Sequence, residues 1–205
     1  MNGAGDLVVQ IARLLDQKRI PYAVGGALAL AAHGVPRATY DVDMNIGVEG
    51  TTFFSDEVLR GLEEKCGIAF SETQEQLLAK SEETGFIQGA SGMIKVDLFF
   101  PNIDYLREVV EKALPLPLYG ETINVIGSDD LIVMKSIFGR DKDFVDIHSL
   151  ARYGTNRIDM EYISEKVRII MHPNDAVRRL GLLEHYVNKG MKEKQTVHRA
   201  LDLDP

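Results

Sequence analysis

Two stretches of this chain hold side chains that are costly to place together unless a cation is near. Tyr22 to Ile46 reads YAVGGALALAAHGVPRATYDVDMNI, and Met93 to Phe100 reads MIKVDLFF. Side chains alternate along an extended strand, so Asp41 and Asp43 point to one side while Val42, Met44 and Ile46 point to the other. In the second stretch Ile94, Val96, Leu98 and Phe100 make one face, with Lys95, Asp97 and Phe99 opposite. Carboxylates this close raise one another's pKa and weaken the fold. Divalent metals with oxygen ligands remove that penalty, and Mg²⁺ favours one or two carboxylates completed by substrate phosphates. Asp97 shares a face with Asp41 and Asp43 if the two strands are neighbours. Gly25-Gly26 supplies the other half, because glycines between a strand and a helix let backbone N–H groups approach phosphate oxygens. A Gly-Gly pair alone is usually a turn, and an Asp-x-Asp alone is usually an exposed strand end. Their order, followed by a later strand aspartate, points to a metal and phosphate site.

Periodicity supplies the elements that must position these groups. Leu7, Val8, Ile11, Leu14 and Leu15 make an amphipathic first helix, ended by Lys18-Arg19 and Pro21. A short strand over Tyr22 to Val24 leads to a helix over Ala27 to His33, closed by Gly34 and Pro36. His33 therefore reads as a C-terminal helix residue rather than a base. A helix over 52–65 and a strand over 67–71 are expected next, then a polar, acidic stretch from Ser71 to Glu83 with no element assigned to it. Phe86 to Gln88 and Met93 to Phe100 make a hairpin turning at Gly89 to Gly92. Asn102 is expected to cap a helix from Ile103 to Lys112. Pro115 and Pro117 confine Leu114 to Leu118 to an edge, with Tyr119-Gly120 turning into Glu121 to Ile126.

From Ser128 the pattern is helical. Ser128 reads as an N-cap, and Asp129 and Asp130 fall in the first turn, where the helix dipole favours negative charge, so both are expected to be structural. Gly139 ends that helix, Asp143 caps the next up to Gly154, Asp159 starts another, and a last helix runs from about Pro173 to Gly190. The charged tail from Met191 to Pro205 lacks an apolar stripe, and a subunit partner is the expected means of holding it. Lys135 lies among Ile132, Val133, Ser136 and Ile137, where a cation is expensive unless paired. Its ammonium must meet a phosphate or Asp97, or snorkel to water.

The 205 residues, 45% hydrophobic and 26% charged, suit one globular domain or a close pair. No apolar run approaches ~20 residues and Met1 to Gly5 lacks the charged start of a signal peptide, which predicts a cytoplasmic protein. The single cysteine, Cys66, excludes an intramolecular disulfide or a thiolate cluster and reads as core. Residues 1–126 hold 10 Lys+Arg against 18 Asp+Glu, net −8, and residues 127–205 hold 13 of each. An acidic first part argues against a long nucleic-acid groove, which needs clustered cations, though local cations such as Arg178 and Arg179 could still dock the end of a structured RNA.

Gly25-Gly26, Gly34, Pro36-Arg37, Thr39, Asp41-x-Asp43 and Asp97 together resemble the nucleotidyltransferase superfamily that includes DNA polymerase beta. The form GGxAxxxxGxPRxTxDxD is similar to small bacterial members grouped with abortive-infection toxins. Residues 131–150, LIVMKSIFGRDKDFVDIHSL, resemble that group's downstream motif through Lys135, Arg140, Asp143 and Asp146. The resemblance covers about residues 20–150, and 14 residues between Gly26 and Asp41 make a longer spacing than in compact members. It implies an α+β fold with a short mixed sheet, a catalytic core over 1–126 and a small helical bundle over 127–205 packed on it. It implies transfer of an NMP from an NTP to a hydroxyl or phosphate, with Asp41, Asp43 and Asp97 binding Mg²⁺ or Mn²⁺ and Asp97 as candidate base. Gly25, Gly26, Arg37, Thr39 and Lys135 would contact the nucleotide. The acceptor would be a tRNA end, as for a toxin with an antitoxin or homodimer partner, or a small molecule such as an antibiotic. A nucleotide-binding module without turnover is the non-enzymatic reading, and the intact aspartates argue against it.

Overall fold

The computed structural model describes residues 3–55 and 57–201. The chain divides into two compact units, Met1–Ala32 with Pro36–Gly127, and His33–Val35 with Ser128–Pro205.

The first unit opens with α1 (Ala4–Lys18), which buries Leu7, Val8, Ile11, Leu14 and Leu15 at helical spacing and stops at Arg19 in a left-handed conformation. Each such side chain contributes about 1.5–3 kcal/mol by leaving water. Next come β1 (Tyr22–Val24), α2 (Gly26–Ala32), β2 (Asp41–Ile46), α3 (Gly50–Ser55), α4 (Val58–Cys66) and α5 (Gln74–Thr84). They are followed by β3 (Phe86–Ser91), β4 (Ile94–Phe99), α6 (Asp104–Glu111), β5 (Leu114–Leu118) and β6 (Glu121–Val125). The strands form one mixed sheet in the order β3-β4-β2-β1-β6-β5. β2 lies antiparallel to β1 and parallel to β4, and β1 lies parallel to β6. The buried face of the sheet carries Val42, Met44, Val96 and Leu98, each with no exposure. Phe53, Phe54 and Phe100 pack edge-on and stacked nearby, with ring centroids 5.2–6.2 Å apart. Cys66 is a buried free thiol, and burial raises its pKa. β5 closes one edge of the sheet, with Pro115 opposite Asn124 and Pro117 opposite Thr122.

Five expectations for this unit need correction. The single helix over 52–65 is two, α3 and α4, with Glu57 left-handed at the start of the second. The strand over 67–71 reduces to one bridge, Ala69 to Ala90, and Gly89 belongs to β3 rather than to a turn. A Cβ there would stand 2.7 Å from Ile68 and 2.8 Å from Phe70. The acidic stretch is α5: the Thr73 side chain accepts from Gln76 N while Gln76 reaches back to Thr73 N, so the cap compensates for a stripe that buries only Leu77 and Ser81. Asn102 does not cap α6, whose N-cap is Ile103, and instead donates to Thr84 O at 3.4 Å.

The second unit is helical, with α7 (Ser128–Phe138), α8 (Asp141–Tyr153), α9 (Met160–Ile170) and α10 (Pro173–Leu201). Phe144 stacks on Tyr186, 5.2 Å between centroids, and Ile147, Leu150, Leu183 and Val187 are buried. Asp159 caps α9 through Glu161 N and Tyr162 N. The last helix continues past Gly190 to Leu201. Gly190 is a close-approach residue rather than a stop, since a Cβ there would lie 2.6 Å from His148 O and 2.8 Å from Ala151 Cβ. Beyond it Glu193 binds Arg152 at 2.6 Å and Lys194 donates to Gly154 O at 2.6 Å. The chain itself thus anchors this part of the tail, while residues 202–205 lie outside the described residues. Among the described residues no helix is long and apolar enough to cross a membrane.

Candidate active site

The parallel pairing of β2 with β4 decides which acidic groups share a face. Asp41 lies opposite Lys95 and Asp43 opposite Asp97, so strand alternation puts Asp41, Asp43 and Asp97 on one side of the sheet, each half-buried. Gly25 N–H donates to Asp43 O at 2.8 Å and closes β1 onto β2. Gly26 follows at φ +56°, a backbone conformation suited to glycine, and a Cβ there would overlap the Asp43 carboxylate. The Gly-Gly turn and the Asp-x-Asp strand therefore meet at Asp43.

The flanking residues tune this arrangement. Thr39 Oγ1 accepts from Asp41 N at 3.0 Å and donates to Asp41 O at 3.2 Å, fixing the entry to β2. Lys95 N donates to Tyr40 O at 2.9 Å and extends the pairing by one residue. Arg37 is exposed in the preceding loop. Gln88 Nε2 donates to Asp97 Oδ1 at 2.6 Å from the neighbouring strand β3. Sequence reasoning passed over Gln88 because its partner is set by hairpin register, which places Gln88 opposite Asp97. It also passed over Asn45, which continues the parity of Asp41 and Asp43 and is 4% exposed.

Among the described residues no three His, Cys, Asp or Glu side chains converge as a preformed metal centre. The donor set of Asp41, Asp43 and Asp97 is all oxygen and fits a hard divalent ion whose remaining ligands come from a substrate.

A family model described as "Nucleotidyl transferase of unknown function (DUF2204)" matches residues 5–180. The chain belongs to this family. No curated protein matches it. A solved structure of the antibiotic-resistance factor ANT(2'')-Ia is similar over 96% of this chain and 94% of that one, at 14% identity and a TM-score of 0.46. The fold of this nucleotidyltransferase, a six-stranded mixed sheet with its helices, is the α+β type expected from the sequence.

The second unit of the nucleotidyltransferase holds the downstream lysine and aspartates. Lys135 is buried, and its ammonium donates to Asp146 Oδ2 at 2.7 Å with Asp143 Oδ1 at 3.9 Å. Its recorded ion-pair partners are thus carboxylates of its own helical unit. Asp143 also accepts from Arg140 N at 3.1 Å, Nε at 2.7 Å and Nη2 at 3.2 Å. Burial alone would raise the Asp143 carboxyl, but these hydrogen bonds and the Arg140 and Lys135 charges outweigh it and hold it below the usual range. Asp143 is consequently a reach-back residue for α8 rather than its N-cap. Asp129 goes the other way: burial, helped by Asp159 and Asp130, raises it despite a hydrogen bond from Asp159 N. Asp130 accepts from Tyr162 Oη at 2.6 Å, and Asn156 joins His33 and Ser128, at 3.4 Å to each.

Proposed function

We propose that this nucleotidyltransferase moves an NMP from an NTP to a hydroxyl or phosphate on an acceptor and releases pyrophosphate, in a reaction that depends on Mg²⁺ or Mn²⁺. The observation that carries the reading is the β2–β4 register, which pairs Asp43 with Asp97 and sets Asp41 beside them. Divalent ions held by Asp41, Asp43 and Asp97 would lower the pKa of the acceptor and offset charge on the leaving oxygen. Gly25 and Gly26 present a turn without side chains to the triphosphate, next to Asp43. Arg37, in the loop before β2, contacts a phosphate, and Thr39 holds that loop to Asp41. Gln88 orients Asp97 through Oδ1, which leaves Oδ2 to take the acceptor's proton.

The acceptor in this reading is a tRNA end. The protein would then be the cytoplasmic toxin of a toxin–antitoxin pair, with the antitoxin or a second copy as partner. A small-molecule acceptor is the second reading, favoured by the acidic balance of residues 1–126, 10 Lys+Arg against 18 Asp+Glu, which suits a cationic compound better than a polyanion. Incubation with each labelled NTP, Mg²⁺ or Mn²⁺ and total RNA tests both. Label in tRNA supports the first, label only in an added antibiotic supports the second, and no transfer from any NTP to either overturns the proposed reaction.

A further inference from the structure

Asn45 lies two residues beyond Asp43 on the same face of β2 and is 4% exposed. Its Nδ2 donates to Ala23 O at 3.1 Å. Its Oδ1 is buried and accepts from no group among the described residues. An orphaned buried acceptor costs stability, and an apolar side chain of similar size would avoid that cost. What the amide does instead is local. Ala23, its register partner, stands two residues before Gly25, and a Cβ on Gly25 would come to 3.1 Å from Asn45 Nδ2. The same Cβ would stand 3.7 Å from Asp43 Cβ, so the Asn45 amide and the Asp43 stem together form the floor beneath the Gly25–Gly26 turn.

We infer that Asn45 is a positioning residue for nucleotidyl transfer: by tying the Ala23 carbonyl and filling the space under Gly25, it sets the Gly25–Gly26 turn against Asp43. The inference rests on the proposed function for the role of that turn. Asn45 itself touches no substrate in this account and acts through the backbone above it.

Three measurements on Asn45→Ala and Asn45→Ser test it: the melting temperature, amide hydrogen exchange in the free protein, and steady-state kinetics with the NTP that labels best. Asn45→Ala is expected to melt close to the wild-type temperature, because losing the orphaned oxygen offsets the small cavity and the released Ala23 carbonyl. Exchange should quicken at Gly25, Gly26 and Ala27 and stay unchanged at Val42 and Val96. A turn displaced by a fraction of an ångström should lower kcat/KM by about 10- to 100-fold, carried mainly by KM for the NTP. Asn45→Ser, which keeps a hydroxyl donor for Ala23 O, should recover part of both the slow exchange and the KM. Unchanged exchange at the turn overturns the inference, as does a melting temperature that falls together with protection across the whole sheet, which would make Asn45 a brace of the fold. If Asn45→Ala does not fold, Asn45→Ser decides by the same criteria. Wild-type protein that transfers no NMP overturns the proposed function alone, since the exchange measurement needs no substrate.

Discussion

At the scale of single residues, Asp43 and Lys135 answer to opposite physics. Asp43 is one of three carboxylates on a shared face, so Asp43→Asn relieves repulsion in the free protein while removing a proposed metal ligand. The expected result is an unchanged or raised melting temperature with turnover reduced by at least about 10³-fold, the scale seen when one member of a catalytic unit is removed. The sequence left the Lys135 ammonium to a phosphate, to Asp97 or to water. The structure pairs it with two buried carboxylates, and removing the cation takes from Asp146 its 2.7 Å ion-pair partner while Asp143 keeps Arg140. Lys135→Met is therefore expected to destabilise by about 3–5 kcal/mol in urea unfolding, and adding Asp146→Asn should restore much of it. Calorimetric NTP titration of that double variant then asks whether Lys135 contributes to nucleotide affinity at all. The two shifted aspartates separate by pH. The lowered pKa of Asp143 contributes stability above the unfolded value of ~3.9 that is lost as pH falls through the folded one. The raised pKa of Asp129 contributes stability below ~3.9 that is lost as pH rises through its folded value, so its charge is a cost at pH 7. Urea midpoints at pH 7 should drop for Asp143→Asn and hold or rise for Asp129→Asn.

At the scale of elements, the strands of the candidate site were the legible part. Alternation placed Asp41 and Asp43 on one face and Asp97 on the corresponding face of a later strand. Only the adjacency of β2 and β4, a long-range pairing, lay beyond it. The prolines in Leu114–Leu118 likewise marked an edge strand directly. Elements whose stability comes from caps or from tertiary contact were not legible from apolar spacing. α5 stands on the Thr73–Gln76 capping box, and the end of α10 stands on ion pairs and hydrogen bonds to α8. Gly190 shows the ambiguity well, since a glycine near a helix end and a glycine at a helix crossing look alike in one dimension. Gly190→Ala discriminates between them. A left-handed helix stop would lose about 1–2 kcal/mol whatever faces it, whereas the loss at the crossing, about 1–3 kcal/mol through overpacking against His148 and Ala151 and read by thermal melting, should be relieved in part by Ala151→Gly.

At the scale of the whole molecule, ligand linkage tests the assignment without identifying the acceptor. A nucleotide and metal that bind only the folded chain should raise stability by about 2.7 kcal/mol at a hundredfold excess over Kd. The shift should need Mg²⁺ or Mn²⁺ together with an NTP, and a melting temperature indifferent to all four Mg–NTP complexes would falsify the shared-site reading. The sheet carries one more consequence, for association. In the β5–β6 hairpin, residues 114, 116 and 118 direct their hydrogen-bonding groups toward β6, so the outward-facing amides belong to positions 115 and 117. Both are proline. A second chain seeking to add a strand along that rim finds carbonyls spaced as in any sheet but none of the intervening donors, so two imino acids stop the sheet from growing between copies on that side.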